Sequence, residues 1–567
     1  MPAGDARPPV PFLGTSTLRA EVALSPGGVM RHAGGVEHTH RITRPAVLAA
    51  VLAGTALVAA GCTAPGSAPD ESTTHTTRAM SAAIQSILDD PRYAEGRWGL
   101  SVVDLDSGQT LLEQNPHDEF QTGSTAKILS VTAALADLGP DHRIDTPVYA
   151  LGDVSGGGVL DGDLVLQGAG DLTLGGRTKA DGTIDIPIFD HYDANALPGV
   201  ATLTPDDPVA GLDELARQVA ASGITRVGGD VLVDDRLWDP VVLDEVPITP
   251  IVVNDNLLDL LVTPGAEGSP ATATSRPQTS AYRVTVDVTT GAPDSPIDLD
   301  VTDDGQGSLT LSGSVPAGAE PIVHTYQVPD PATWARTLFI EALQRAGVEV
   351  DASATAANDA DALPPTSALG ATAPVAVLAS PPFSETAKLI NKVSHNLGAN
   401  QLPLLLAAQA GQRTLDNGLS LQWVQMQKGG LTSADATVLD GQGLPGNVIT
   451  PAGMTGYLDH LTTTETFDTF FDSTPILGVD GSLASVLPKG DPATGHGHAK
   501  TGTLVEPRPG GGYTLVTKAL AGYIDAESGH RLAFAVFVND VPMDSVQGVF
   551  QANSDLGAIA SALYSTY

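Results

Sequence analysis

A serine and a lysine stand three residues apart in the stretch "GSTAKILS", residues 123–130, at the start of an apolar run with helical spacing. On a helix, positions i and i+3 share one face, so the Lys127 amine can approach the Ser124 hydroxyl. A serine hydroxyl becomes an effective nucleophile when a nearby base takes its proton, and a desolvated lysine can be that base. The pair predicts an acyl-transfer nucleophile, but an N-cap serine followed by a solvated lysine would have the same spacing.

Two later stretches favour the chemical interpretation. "KLINKVSHNLGANQ" (388–401) contains Ser394 and Asn396, and "HAKTGTL" (498–504) contains Lys500 followed by Thr and Gly. The order Ser-x-x-Lys, Ser-x-Asn, Lys-Thr-Gly is the order required of a serine acyl-transfer site. A cationic Lys500 can bind a substrate carboxylate and lower the pKa of Lys127, Ser394 can relay a proton to the leaving amine, and Asn396 can hold the substrate amide.

With these motifs in place, the chain resembles the low-molecular-mass class C penicillin-binding proteins, the D-alanyl-D-alanine carboxypeptidase/endopeptidase family. The resemblance runs through nearly all of residues 79–565. It includes "LADLGPDHRIDTPVY" after the serine helix, "GDLVLQGAGDLTL" (162–174), "VVNDNLLDLLVTPG" (252–265) and "LDGQGLPGNVITP" (439–451). Many weak matches in one order are more specific than any single motif.

The resemblance implies an α+β fold and a set of functional residues. Ser124 would be the nucleophile and Lys127 its base or proton relay, with the backbone N–H groups of Ser124 and Thr503 forming the oxyanion hole. Thr501, Gly502 and Thr503 would bind substrate, the two threonine hydroxyls holding the terminal carboxylate of D-alanyl-D-alanine with Lys500. The implied enzyme needs no metal or organic cofactor. Its partners would be peptidoglycan stem peptides, with β-lactams as inhibitors. It would trim chain ends, and the sequence leaves open whether it also opens D-alanyl cross-links, because both reactions use the same site.

The elements that position these motifs come from both ends of the chain. Between Lys127 and Ser394 lie 266 residues, a gap that the family fills with inserted β-rich domains. We therefore expect residues 79–148 and 375–567 to form a catalytic antiparallel sheet flanked by helices, and residues 149–374 to form inserted domains. A hairpin is predicted around residues 106–108, and the closing elements are predicted as strands "KALAGYIDA" and "RLAFAVFVND" and a helix over 552–565.

The N-terminal region carries export signals. Basic residues precede a 15-residue apolar run (46–60) that is too short to span a bilayer. The following "VAAGC" resembles a bacterial lipobox, which implies cleavage before Cys62 and acylation of its sulfur. An ordinary signal peptide ending near a cysteine is the alternative. If translation starts at Met30, residues 1–29 are not part of the natural protein.

Residues 62–78 are predicted to be a flexible tether that joins the anchor to the folded chain, because they are rich in Ser, Thr and Pro and have no apolar periodicity. Together the two segments predict an exported protein, lipid-anchored to the outer face of the cytoplasmic membrane. The sequence does not predict an oligomeric state.

Charge and composition exclude one class of partner. The chain has 28 Lys+Arg against 66 Asp+Glu, for a formal charge of -38, so nucleic acid is disfavoured by long-range repulsion. A hydrophobic content of 42% is ample for packed cores, and the length points to about three domains.

Some positions depart from the family pattern. His395 stands where the family usually has Asp, and its side chain either points away from the site or tunes the rate near neutral pH. Gln442, Pro445 and Gly446 replace the two serines and the arginine of the usual DGSGLSR-type segment, so stem-peptide side-chain preference is expected to differ. His496 and His498 invite a metal interpretation, but a solvated strand edge is the better account.

Other hydrolase classes fit less well. No tyrosine is followed two residues later by Asn, and no Gly-x-Ser-x-Gly elbow occurs. The rival from a different class is a non-catalytic, lipid-anchored cell-wall binding protein on the same fold, which the altered "DGQGLPGNV" segment keeps open.

Overall fold

The computed structural model describes residues 80–567 of the chain. Within that range the chain forms helices α1 (Ala82–Leu88), α2 (Ala126–Leu138), α3 (Ala210–Ala221), α4 (Pro331–Arg345), α5 (Thr366–Leu369), α6 (Phe383–Lys392), α7 (Asn396–Gln409), α8 (Leu415–Lys428), α9 (Pro451–Leu461), α10 (Phe467–Ser473) and α11 (Val546–Thr566).

The strands of the same range are β1 (Arg97–Asp104), β2 (Gln109–Gln114), β3 (Phe120–Gln121), β4 (Asp145–Val154), β5 (Val159–Gln167), β6 (Arg226–Val227), β7 (Val231–Asp234), β8 (Val242–Leu243), β9 (Val246–Pro247), β10 (Leu257–Thr263), β11 (Thr272–Arg276), β12 (Arg283–Gly291), β13 (Asp298–Asp303), β14 (Ser308–Pro316), β15 (Ile322–Gln327), β16 (Glu349–Val350), β17 (Ala376–Ala379), β18 (Ala436–Thr437), β19 (Val448–Ile449), β20 (Gly497–Pro507), β21 (Tyr513–Asp525) and β22 (Arg531–Met543).

A five-stranded antiparallel sheet joins the two ends of the described chain in the order β2-β1-β22-β21-β20. Side chains alternate across β22, because successive residues of a strand point to opposite faces. Ala535 and Phe537 join one core, and Phe534 and Val536 join another. The sheet is therefore buried on both faces, which explains why its strands read as continuous apolar runs.

Helices cover both faces of this sheet. The first core contains residues of α2, α6, α7 and α9, and the second contains residues of α1 and α11. Helix α2 is buried from Ala126 to Leu135, as expected of a helix that is apolar all round. The helix that carries the Ser-x-x-Lys motif is thus fixed in the centre of the catalytic part of the molecule.

A third core belongs to the chain between the first and second motifs. Strands β16-β6-β5-β4-β17 form one sheet to which β7 adds through β5, and two further sheets follow the orders β11-β10-β15 and β12-β14-β13. Trp334 and Phe339 of α4 are buried against them. The predicted boundary at residue 149 falls within β4, and β17 begins just after the predicted boundary at residue 374; the two strands pair with each other. The boundaries themselves stay predictions.

The structure confirms the predicted hairpin, as β1 and β2, and the closing elements, as β21, β22 and α11. α11 begins at Val546, six residues before the predicted start. The signal segment, Cys62 and the predicted tether up to residue 78 lie outside the described residues. No helix among residues 80–567 is long and apolar enough to cross a bilayer.

Candidate active site

Ser124 lies on the tight turn that leads into α2. Residues 123–125 form one 3₁₀ turn, and Lys127 follows on the first turn of the α-helix. The Lys127 Nζ lies 2.7 Å from the Ser124 Oγ. Lys127 is fully buried, whereas Ser124 keeps part of its surface exposed. The predicted nucleophile and base are therefore in hydrogen-bond contact, with only the nucleophile open to solvent.

The second motif lies between α6 and α7. The Asn396 Oδ1 accepts a hydrogen bond from Lys127 Nζ at 2.7 Å, and the Ser394 Oγ accepts one from Lys500 Nζ at 2.8 Å. Ser394 has a φ of 62°, a left-handed conformation that is uncommon for serine and costs free energy. In this conformation Asn396 faces Lys127 and Ser394 faces Lys500.

The third motif lies on β20, the edge strand of the five-stranded sheet. A Cβ on Gly123, whose φ is +47°, would lie 2.8 Å from the Thr503 N, and a Cβ on Gly502 would lie 2.4 Å from the Thr122 O. Both positions thus require glycine, since any side chain would separate the strand from the turn. This close approach brings the Thr503 N–H beside the turn that carries Ser124, as the predicted oxyanion hole requires.

The five predicted catalytic residues form two hydrogen-bonded groups at the start of α2, and the predicted substrate-binding residues line the adjacent strand. The Thr501 Oγ1 donates to the Ser482 Oγ at 3.0 Å, and Thr503 Oγ1 accepts a hydrogen bond from Lys518 Nζ at 2.7 Å. Ser482 and Lys518 were not predicted. A lysine inside the apolar run "TLVTKALAGY", in a chain with only eight lysines, was the signal that could have identified Lys518.

Burial determines the protonation of the two motif lysines. It lowers the pKa of Lys127 to about 7, against the opposing charges of Asp440 and Asp193. Burial also lowers the pKa of Lys500 well below its usual range, and the charges of Lys127 and Lys518 lower it further. Lys500 was expected to depress the pKa of Lys127, but desolvation is the main cause of that shift.

The "DGQGLPGNV" segment forms the floor beneath Lys127. Asp440 accepts hydrogen bonds from the backbone N–H groups of Gln442 and Gly443 and from the Asn447 side chain, at 2.9, 2.6 and 2.6 Å. The Gln442 Oε1 accepts from Asn400 of α7 at 3.0 Å. Gln442 thus ties the segment to α7. Pro445 is exposed and Gly446 has no side chain, so neither supplies a cation at the positions where the family pattern has one.

His395 points away from the reacting atoms, as one of the two expectations had it. It is fully buried, and its Nδ1 accepts the Gly398 N–H at 3.0 Å, so it caps α7. Its Nε2 lies 3.1 Å from the Asp255 Oδ2, off the line of a well-aligned hydrogen bond. His395 therefore links the second motif to the segment "VVNDN" of the third core.

Asp255 belongs to a buried cluster of charges that the sequence analysis missed. Arg177 contacts Asp190 at 2.5 Å and Asp255 at 2.6 Å, and His191 lies between Asp255 at 2.9 Å and Asp259 at 2.6 Å. Burial alone would raise the pKa of Asp255, but Arg177, His395 and His191 hold it well below its usual range. The cluster is drawn from residues far apart in sequence, so no local pattern reveals it.

Asp193 is the other unpredicted group near the site. Burial and the neighbouring Asp190 raise the pKa of Asp193 to about 6, against the opposing charges of His395, Lys127 and Lys500. The Asp193 carboxylate raises the pKa of both active-site lysines, although Asp440 has the larger effect on Lys127. The negative charge of Asp193 partly offsets the positive charges of Lys127 and Lys500 when these lysines are protonated.

Two groups of three potential metal ligands occur among the described residues: Asp104, Asp106 and His530, and Asp190, His191 and Asp255. In the second group, the Arg177 guanidinium already binds both carboxylates. The first lies around an exposed hairpin, away from the motifs. His498, considered above as a ligand, instead stacks on Phe471 with ring centroids 3.8 Å apart. These arrangements assign no metal to the site.

A buried lysine between a serine and an asparagine, opposite a second lysine on a sheet edge, defines a serine acyl-transfer enzyme of the penicillin-recognising class. Within that class, the chain belongs to the D-Ala-D-Ala carboxypeptidase 3 (S13) family, whose model matches residues 80–555. The expected family, the α+β fold and the assignment as a serine-type D-Ala-D-Ala carboxypeptidase are confirmed.

Relatives extend over most of the chain. A D-alanyl-D-alanine carboxypeptidase from an Actinomadura species is 28% identical over 492 residues, covering 80% of each chain. The crystal structure of penicillin binding protein 4 from Haemophilus influenzae is similar with a TM-score of 0.62 at 18% identity, covering 86% of this chain and 100% of that one. The same relative, in complex with a β-lactam, matches with a TM-score of 0.60.

Proposed function

We propose that the protein hydrolyses the bond between the two terminal D-alanines of peptidoglycan stem peptides through an acyl-enzyme on Ser124. The observation that carries this proposal is the fully buried Lys127, 2.7 Å from both the Ser124 Oγ and the Asn396 Oδ1. A lysine held there with a pKa of about 7 is partly neutral at physiological pH, and only the neutral amine can accept the serine proton.

In the acylation step, Ser124 Oγ attacks the carbonyl carbon of the penultimate D-alanine while Lys127 takes its proton. The developing oxyanion accepts hydrogen bonds from the backbone N–H groups of Ser124 and Thr503. Because the Asn396 Oδ1 accepts from Lys127, its amide nitrogen is left to donate to the substrate backbone. The terminal carboxylate binds the hydroxyls of Thr501 and Thr503 and the charge of Lys500.

The C–N bond then breaks, and the leaving amine needs a proton. Ser394 Oγ, hydrogen-bonded to Lys500 at 2.8 Å, donates this proton and is reprotonated from Lys127 or Lys500. D-alanine departs, and water hydrolyses the serine ester to free the enzyme. The same steps cleave a D-alanyl cross-link when the leaving amine belongs to a second stem peptide, so we include endopeptidase activity in the proposal.

Penicillin provides the sharpest test of the nucleophile. The full chain is incubated with a fluorescent penicillin and examined by intact mass and gel, beside Ser124→Ala and the control Ser107→Ala, a change of an exposed serine on the β1–β2 turn. We expect one stable adduct on the native chain and the control, and none on Ser124→Ala. Release of D-alanine from a D-alanyl-D-alanine peptide, and cleavage of a cross-linked dimer, then measure turnover on the two substrate types.

An absence of adduct on a folded native chain at saturating penicillin would contradict the proposal. An adduct without hydrolysis of either peptide would instead support a cell-wall binding protein on a retired enzyme fold. The two results separate the rival functions.

We further propose that the protein is exported and lipid-anchored through Cys62 to the outer face of the cytoplasmic membrane. The basic residues, the short apolar run and "VAAGC" support this, and Cys62 is the only cysteine. Expression with an alkyne-tagged fatty acid should label the native chain and Thr63→Ser but not Cys62→Ser, which should leave the membrane fraction. Labelling of Cys62→Ser would contradict the anchor.

A further inference from the structure

Lys518 is a third lysine buried beside the active site, and the proposed mechanism does not use it. It lies on β21 directly opposite Thr503 of β20. Only 5% of its surface is exposed, and its Nζ donates to the Thr503 Oγ1 at 2.7 Å. The lysine therefore lies behind a residue that the proposed function places against the substrate carboxylate.

Lys518 has no acidic partner within residues 80–567. Lys392, which is comparably buried, contacts Asp480 at 2.7 Å, and the half-exposed Lys388 contacts Glu385 at the same distance. Burial alone lowers the pKa of Lys518 to about 7. A buried ammonium without a counter-ion destabilises the fold, so a methionine or leucine would serve stability better at this position. Groups of this kind occur mainly at functional sites.

The hydrogen bond determines what the Thr503 hydroxyl can do. A hydroxyl has one hydrogen to donate and two lone pairs. Lys518 occupies one lone pair from the buried side, which leaves the hydrogen free to point outward. Thr503 is itself partly exposed. The Thr503 hydroxyl is thus oriented as a donor toward the cleft, with a buried amine behind it that is positively charged below about pH 7.

We propose that Lys518 is a positioning residue that acts through Thr503 to select acyl donors ending in a carboxylate. It orients the Thr503 hydroxyl toward that carboxylate and adds its own charge to that of Lys500. The inference rests on the proposed function, because it assumes that the substrate carboxylate binds at Thr503. Its specific consequence is discrimination between a carboxylate and a neutral group of similar size.

The test compares two thioester substrates that differ only at this group: an acyl-D-alanyl thioglycolate with a free carboxylate, and its methyl ester. We expect Lys518→Met to lower kcat/KM for the carboxylate substrate by about 10-fold, the size of one charge-assisted hydrogen bond, and to change kcat/KM for the ester less than about 2-fold. The control Val538→Ala alters the residue paired with Lys518 on β22. It should lower thermal stability and leave the ratio of the two kcat/KM values unchanged.

A double-mutant cycle tests whether the effect passes through Thr503. In the Thr503→Val background, Lys518→Met should reduce the ratio much less than in the native chain. If Lys518→Met turns over both substrates with an unchanged ratio of their kcat/KM values, this inference is overturned and the proposed function is not. An equal fall of kcat/KM for both substrates would have the same meaning. No turnover of either substrate by the native chain would overturn the proposed function, and this inference with it.

Discussion

Lys127 serves as a base only in its neutral form, so the pH at which it loses its proton controls the rate. Its pKa is lowered to about 7 because the side chain is removed from water. Below that pH the amine is protonated and cannot accept the Ser124 proton. The burial of Lys127 thus provides a base that can activate the Ser124 hydroxyl at neutral pH.

We therefore expect the rate constant for acylation of Ser124 by penicillin to rise about tenfold per pH unit up to roughly pH 7 and then to level off. Lys127→Arg stays protonated throughout this range, so its rate should be flat and lower by about 10²–10⁴-fold. Stopped-flow measurements between pH 5 and pH 9 give both profiles.

Asp193, whose pKa is raised to about 6, could imitate this profile, as could Lys518, whose pKa is lowered to about 7. The variant Asp193→Asn tests the contribution of Asp193. If the rise of the acylation rate with pH reflects deprotonation of Lys127, it persists in Asp193→Asn. It should then occur at lower pH, because the variant lacks one negative charge that stabilises the Lys127 ammonium. Loss of the rise in this variant would assign the titration to Asp193.

At the scale of elements, the decisive contact is between the turn before α2 and the edge strand β20. Gly123→Ala should disrupt it, because the new Cβ would lie 2.8 Å from the Thr503 N and the φ of +47° disfavours any side chain. Displacing one oxyanion-hole donor typically lowers the rate by about 10²–10³-fold, and we expect acylation to fall by that amount. Thermal unfolding should show that the fold persists.

Gly456→Ala is the matched control. Gly456 lies in α9, and a Cβ there has nothing within 4 Å. The same substitution should therefore leave acylation unchanged and stabilise the helix by about 0.5–1 kcal/mol. A normal acylation rate in Gly123→Ala would show that the strand and the turn do not need this close approach.

Local patterns predicted the elements well where periodicity is strong. The hairpin β1–β2, the closing strands and the motif helix follow from alternation, turn residues and apolar spacing within short windows. The pairing of Ser124 with Lys127 also follows from local spacing, because i and i+3 meet on any helix. Element ends were less certain: the closing helix starts six residues earlier than expected, and Gly548 in its first turn is a weak helix former.

At the scale of the whole molecule, the buried cluster around Arg177 connects the third core to the second motif. Its members come from residues 177–259 and reach His395, so they are adjacent only in the folded chain. The sequence could not show this, because neither a charge in a loop nor a histidine in a motif indicates its distant partner. The orientation of His395 was left open for the same reason.

Arg177→Met should leave Asp190 and Asp255 buried without their cation, which costs about 3–5 kcal/mol of unfolding free energy. Acylation should also slow, because Asp255, which contacts His395 of the second motif, loses its contact with Arg177. Chemical denaturation and penicillin labelling measure the two effects. Arg226→Met, which breaks the exposed contact with Asp351 at 2.8 Å, should cost less than about 1 kcal/mol. Equal costs for the two variants would contradict a structural function for the cluster.

The order of strands in the central sheet also governs when the enzyme can first act. β1, near the start of the described chain, pairs with β22, and β20 reaches that pair only through β21. A chain still being made holds its nucleophile long before it holds the strand that completes the sheet. Non-local pairing of this kind is slow to form. The newly made enzyme therefore has a complete site only after β22, near the end of the chain, has paired with β1 and β21.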